Sequence, residues 1–184
     1  TGITIMRMVP EMDAGPILFQ VAEPIGPEET ASDLAARLSE LGAATLVEAL
    51  ALLEAGQLEE VEQEHARATY APRITRAGAR VDWSRDAVSV ANWIRGLDEE
   101  PGAWTVHRGQ ELKLFRPRPV REHTHAAEPG TILEARPHDP TAGLLVACGA
   151  GAVWVREVQP PGKRRMTAAE WLRGRGAAPG ERFA

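Results

Sequence analysis

The sequence predicts an α/β segment followed by a small all-β unit, and three observations in its 184 residues carry that reading. Two apolar runs and one long helical period fill the first third. Short strand-like runs separated by turn formers fill the last half. Charge divides along the same line. Up to Ala66 two basic residues stand against thirteen acidic ones, and from Arg67 onward nineteen basic stand against thirteen acidic. The formal net charge of −5 therefore covers a split of −11 and +6. A basic unit suits a polyanion, although two solvated faces produce the same count.

Composition excludes several classes. Hydrophobic residues at 43% and charged residues at 26% are ordinary for a globular chain. Gly 17 and Pro 14 follow no period, which excludes collagen and points to many turns. No apolar run approaches the length of roughly 18 residues that reads as a membrane span. The single cysteine, Cys148, excludes an internal disulfide framework and a cysteine-based structural zinc site. The opening residues Thr1-Gly2-Ile3-Thr4-Ile5-Met6 read as the inside of a strand, as in a piece of a longer protein.

Each element has a local reason. Residues 3–8 form a short apolar run, broken by the turn formers of residues 9–16. Residues 17–22 resume a strand-like run that Pro24 and Pro27 end. Thr30 and Asp33 resemble a capping box with Asp in place of Glu. Leu34, Leu38 and Leu41, then Leu46, Leu50 and Leu53, recur at helical spacing, which predicts one helix over 31–55 with Gly56 just past its end. Two strands and one helix cannot close a core by themselves. Residues 57–79 show weak periodicity and much charge and read as a linker between units at 1–56 and 80–184. Ser84 is a candidate N-cap for a helix from Arg85 to about Gly96. Five short strands follow, at 103–106, 110–115, 130–135, 144–148 and 152–158, and suggest an OB-like barrel. Thr167 and Glu170 form a capping box for a last helix over 168–173.

The candidate chemistry sits in few places. Asp13, on a turn after a strand and before Gly15 and Pro16, occupies the kind of position where open α/β sheets do ligand chemistry. The same pattern also marks an ordinary turn. His123 and His125 have no third ligand at metal-binding spacing and read as an exposed loop. Gly149-Ala150-Gly151 has no helix after it and reads as a hairpin turn. Arg116 and Arg118 alternate near a strand end, with Arg121 just beyond, and Lys163, Arg164 and Arg165 form a second basic cluster. Together they are expected to form a basic stripe. The five tryptophans all lie after the linker, most of them as core, with one or two beside arginines able to stack on bases.

Several segments carry a resemblance. Thr1-Gly2-Ile3-Thr4-Ile5-Met6-Arg7-Met8 followed by Met12-Asp13-Ala14-Gly15-Pro16-Ile17-Leu18 resembles the end of the catalytic domain in folate-dependent formyltransferases. Thr69-Tyr70-Ala71-Pro72-Arg73-Ile74 and Val81-Asp82-Trp83-Ser84 are similar to the linker and domain entry of the branch of that family acting on methionyl-tRNA, and Pro101-Gly102-Ala103-Trp104 continues that match. Residues 94–97, 129–133 and, most specifically, 159–172 continue the match.

The resemblance implies the C-terminal part of a Rossmann-like catalytic domain joined to an OB-like domain. It implies transfer of the formyl group of 10-formyltetrahydrofolate to the amino group of methionine on initiator tRNA, by a cytoplasmic, monomeric enzyme without metal or membrane. Of the family's Asn, His and Asp, only the Asp maps here, onto Asp13. Val9, Pro10, Glu11 and Met12 are expected to bind the folate, and Arg116, Arg118, Arg121, Lys163, Arg164 and Arg165 of the second unit to bind the tRNA. The family's His-Gly-Ser-Leu-Leu-Pro segment is not in this sequence. Residues 92–96 and 101–105 also resemble the hydrolase domain of 10-formyltetrahydrofolate dehydrogenase, so a hydrolase stands as an alternative, as does a free-standing OB-like RNA-binding module.

Overall fold

The structure, a computed structural model, describes all residues except Pro140 and Arg175. It divides into two units, Thr1–Arg73 and Ile74–Ala184.

In the first unit β1 (Gly2–Met6) and β2 (Ile17–Ala22) pair antiparallel. The Arg7 N–H donates to the Pro16 carbonyl at 2.9 Å and closes the loop between them. α1 (Ala31–Glu54) starts at Thr30 with the capping box that the sequence predicts. The Asp33 N–H donates to Thr30 Oγ1, and the Thr30 N–H donates back to the Asp33 carboxylate. Gly56, at φ 66, turns the chain out of the helix through the left-handed region, where glycine carries no Cβ penalty. Thr45 and Ala49 of α1 are buried, while Leu46, Val47, Leu50 and Leu53 remain exposed. That open apolar face is the expected outcome for one helix over two strands.

The predicted linker is not uniformly free. Val61 pairs with Ile17, each N–H donating to the other's carbonyl at 2.8 and 2.9 Å. Glu60 forms an ion pair with Arg7. Val61 therefore adds one backbone bridge to the small sheet, because the edge of β2 offers unpaired backbone groups.

The second unit holds α2 (Ala87–Gly96), β3 (Trp104–His107), β4 (Gln110–Val120), β5 (Ile132–Arg136), β6 (Gly143–Ala147), β7 (Ala152–Gln159), β8 (Met166–Thr167) and α3 (Ala168–Arg173). The strands order as β3-β4-β7-β6-β5, with β8 on β7, and all ladders are antiparallel. α2 buries Val90, Ala91 and Ile94 against Leu112, Leu114, Leu144, Val146, Val153 and Val155.

Three local expectations need correction. The cap of α2 is Asp86, whose carboxylate accepts from the Val88 and Ser89 N–H groups, because Ser84 is already held in a turn by Asp82. At α3 only half of the capping box forms: Thr167 accepts from the Glu170 N–H, while the Glu170 carboxylate turns to Arg164. β4 runs five residues beyond the predicted end at Phe115. There it pairs with β7 alone, so Pro117 and Pro119 meet the requirement for one unpaired edge.

The barrel expectation also changes. No strand ladder closes the sheet among the described residues. The two outer strands instead bond to the same last five residues. Val106 of β3 exchanges both backbone hydrogen bonds with Ala184, at 3.0 and 2.9 Å. On the other edge the Ile132 N–H donates to Glu181, the Gly180 N–H donates to Ile132, and the Phe183 N–H donates to Gly130. Phe183 is 1% exposed and stacks on Trp83 with ring centroids 5.8 Å apart. Glu181 bonds His107 and Arg108, and these partners hold its carboxyl below the usual range despite an opposing desolvation. Its contribution to stability is therefore present above the ordinary glutamate pKa and lost as pH falls through the lowered value.

Phe183→Ala is expected to destabilise the second unit by about 3–5 kcal/mol, the usual loss for a buried aromatic. Urea unfolding checks this. A loss below about 1 kcal/mol would mean that the final residues only rest on the core.

Candidate functional site

Asp13 lies on the loop between β1 and β2, exposed, at φ 55. Asp tolerates this left-handed region better than most residues. Two neighbours make the loop rigid. A Cβ on Gly15 would stand 1.8 Å from the Arg7 carbonyl oxygen, so only glycine allows this approach. Gln63 Nε2 donates to the carbonyls of Asp13 and Gly15 at 2.9 and 2.7 Å. Below them, the hydrogen bond between Arg7 and Glu60 holds the Glu60 carboxyl low and the Arg7 guanidinium high. Gln63 is a residue that sequence reasoning misses, because it sits in a charged stretch without period or motif. Its contact is with residues about fifty positions away.

Along the same loop Val9 is half-buried, and Pro10, Glu11 and Met12 are exposed. The strand before Asp13 does not belong to a parallel sheet among the described residues. Its neighbour β2 is antiparallel, so the turn is a hairpin loop. What the arrangement supplies is an accessible carboxylate on a backbone pinned at both ends. Two nearly uncovered methionines, Met8 and Met12, flank it in sequence.

The basic residues divide by environment. Arg118 is exposed and stands opposite Trp154 across the β4–β7 ladder. Arg116 does not follow the strand period that would place it beside Arg118. Its φ is 49, and Leu114 and Phe115 before it are both buried. Its carbonyl accepts from Arg156 Nε at 3.1 Å. Arg121 is exposed just past β4.

Lys163, Arg164 and Arg165 are adjacent in sequence but differ more. Arg165 bonds Asp98 at 2.7 Å and Glu157 at 2.5 Å, and its guanidinium lies 4.1 Å above the Phe115 ring. Burial lowers its pKa, and the bonds to Glu157 and Asp98 outweigh that and raise it. Arg164 pairs with Glu170 at 2.6 Å. Lys163 is exposed. The loop therefore presents Lys163 to solvent and uses Arg165 inward.

Other candidates are structural. His125 faces the carbonyls of Ala127 and Gly151 at 3.2 and 2.9 Å, and thus ties its loop to the β6–β7 turn. Gly149-Ala150-Gly151 is that hairpin turn, and the Ala150 carbonyl accepts from Ala87 at the start of α2. Burial pushes the Cys148 thiol up to about 12, so it carries no thiolate near neutral pH. Among the described residues no three His, Cys, Asp or Glu side chains are grouped to hold a metal ion. Among the described residues no helix is long and apolar enough to cross a membrane.

Arg165→Ala is expected to cost about 3 kcal/mol, because it takes the arginine charge away from the buried Asp98 carboxylate. Lys163→Ala is expected to change stability by less than about 0.5 kcal/mol. Thermal unfolding of the two variants distinguishes them, and equal small effects would show that Arg165 is ordinary surface charge.

Comparison with known proteins adds a separate line of observation. Residues 73–176 match the family described as formyl transferase, C-terminal domain, and residues 1–50 match the family described as formyl transferase. A protein of Aromatoleum aromaticum named methionyl-tRNA formyltransferase is 45% identical over 183 residues, covering 100% of this chain and 56% of that protein. One of the same name from Heliobacterium modesticaldum is 42% identical over 190 residues, covering 100% of this chain and 59% of its own length. The chain thus spans somewhat more than half of these relatives. Among solved structures, a HypX variant from Aquifex aeolicus superposes with a TM-score of 0.71 at 26% identity, over 98% of this chain and 31% of that one. HypX in complex with tetrahydrofolic acid superposes at 0.68, over 93% and 29%. The sugar 3N-formyl transferase WlaRD, at 16% identity and 0.63, shares the fold.

Proposed function

The chain belongs to the formyl transferase family, and from that premise we propose that it is part of an enzyme that formylates the methionine amino group of initiator tRNA. The observation that carries this reading is the identity of 42–45% to proteins named methionyl-tRNA formyltransferase, spread over the whole chain. The donor in this reading is 10-formyltetrahydrofolate. The tetrahydrofolic acid held by a similar HypX structure supports a folate. So does the loop itself: Met12, 90% exposed, offers an uncovered thioether of the kind that packs well on a flat ring. Residues 9–12 are proposed to line the folate side. The second unit, with its final residues bridging both edge strands, is proposed to act as an OB-like module that contacts the tRNA.

The chemistry assigns Asp13 a role. The amine attacks the formyl carbon, the new carbon–nitrogen bond forms, and the bond from that carbon to the folate nitrogen breaks, that nitrogen taking up a proton as it leaves. The amine must lose a proton in the process. Asp13 takes it, directly or through a water or a histidine, which is general-base work for a carboxylate. Its fixed backbone limits the space in which that carboxylate can move. The oxyanion of the tetrahedral intermediate needs donors that an exposed carboxylate cannot supply.

The intact enzyme containing this chain tests the reading, with methionyl-tRNA and 10-formyltetrahydrofolate as substrates. Asp13→Asn is expected to lower kcat by roughly 10²–10⁴-fold while KM for the folate changes little. A variant that keeps most of its kcat would make Asp13 a turn residue. An intact enzyme that forms no formylmethionyl-tRNA would overturn the assignment of the acceptor.

A further inference from the structure

One face of the second unit's sheet points away from its core. Val153 and Val155 of β7 belong to the core, so Trp154 between them projects to the opposite face. Pairing places Arg118 of β4 beside Trp154 on one side and Leu145 of β6 on the other, with Glu134 of β5 opposite Leu145. The row crosses four adjacent strands, about 14 Å at ordinary strand spacing. Arg136 lies over the Trp154 ring at 4.7 Å from its centroid, bonds Glu134 at 2.8 Å and stands 4.0 Å from the partly exposed Asp139 carboxylate.

The same device occurs nearby, and the contrast between the two is informative. On β4, Leu114 faces the core and Phe115 faces away, covered by Arg165. That stack is closed. Phe115 is 2% exposed, and two carboxylates hold the arginine, one of them buried. The Trp154 stack is open. Trp154 is half-buried, the Arg136 side chain is 48% exposed, and Arg118 is exposed. Nor does the core require this tryptophan. Trp83 is inside the core cluster, and Trp93, Trp104 and Trp171 pack against it, whereas Trp154 lies on the far side of β7.

A half-covered indole, a guanidinium plane and a second arginine on one sheet face form a platform for an unpaired base and its phosphates. The excess of basic residues in the second unit, seventeen against thirteen acidic from Ile74 onward, favours a polyanion over a protein partner. We infer that Trp154, Arg136 and Arg118 form a stacking site for single-stranded RNA, an unpaired stretch of the tRNA that the proposed enzyme binds. This inference rests on the tRNA reading for the identity of the RNA. It adds a contact separate from the loop at Lys163 and independent of the chemistry at Asp13.

Binding of two probes to the intact enzyme containing this chain tests it: an initiator tRNA transcript and a single-stranded RNA of mixed sequence, each at several salt concentrations. Trp154→Ala should weaken binding of both about tenfold with an unchanged salt slope, and Trp154→Phe should recover most of the loss. Arg118→Ala, at an exposed position, should flatten the log–log salt slope by about 0.7–0.9. Wild-type binding of both probes that the Trp154 and Arg118 variants leave unchanged overturns the stacking site and leaves the tRNA reading intact. Trp154-dependent binding of the single strand without binding of tRNA supports the site and overturns the tRNA reading. Binding of neither probe overturns both. Should Trp154→Ala not fold, Arg118→Ala decides, and an unchanged slope overturns the inference.

Discussion

The second unit depends on five residues at its end. A sheet ordered β3-β4-β7-β6-β5 leaves two edges, and unpaired edges are both unstable and prone to foreign pairing. Residues 180–184 bond to both, through Val106 on one side and Ile132 on the other. The arrangement imposes its own requirements. Gly130 is at φ 88, and a Cβ there would stand 2.5 Å from the Phe183 carbonyl oxygen, so the chain must carry glycine where the last segment crosses. Trp83 both stacks on Phe183 and donates to Thr105 at 3.0 Å, and Thr105 donates to the Ala184 carbonyl. With the edges taken up and α2 on the inner side, the outer face of β4, β7, β6 and β5 is the part of the sheet that remains to meet a partner.

Arginine over an aromatic ring recurs on that face with two outcomes. A guanidinium holds its charge at any ordinary pH and offers both a flat surface and a fork of donors. Where the fork is taken by Asp98 and Glu157, as at Arg165, the stack anchors the loop before α3. Where both carboxylates are themselves partly exposed, as Glu134 and Asp139 are beside Arg136, the arginine stays accessible. Neighbouring charge thus separates an anchoring arginine from a recognising one, and sequence adjacency does not. Lys163, Arg164 and Arg165 make the point, being three consecutive cations with three environments.

What the sequence reveals follows the range of each interaction. The helix over 31–54, its Thr30–Asp33 cap and its Gly56 stop depend on residues within a turn of one another, and they read correctly. The positions of the strands, apart from the far end of β4 and the short β8, and the hairpin turn at 149–151 read correctly for the same reason. The Asp86 cap was masked by a nearer candidate, Ser84, whose hydroxyl Asp82 already engages. Contacts between distant residues carry no local signal. Val61 on Ile17, Gln63 on the Asp13 loop, Arg165 on Asp98 and Ala184 on Val106 all fall in that class. Asp13 itself was legible as a carboxylate on a turn, and the glutamine that steadies its loop was not.

Amide hydrogen exchange tests the central constraint most directly. If the final residues close the sheet, the amides of Val106, Ile132 and Phe183 should exchange as slowly as those of the interior strands β6 and β7, and deleting residues 181–184 should release Val106 and Ile132 together. Fast exchange at Val106 and Ile132 in the intact chain, beside protected β6 and β7, would show two frayed edges and contradict the account.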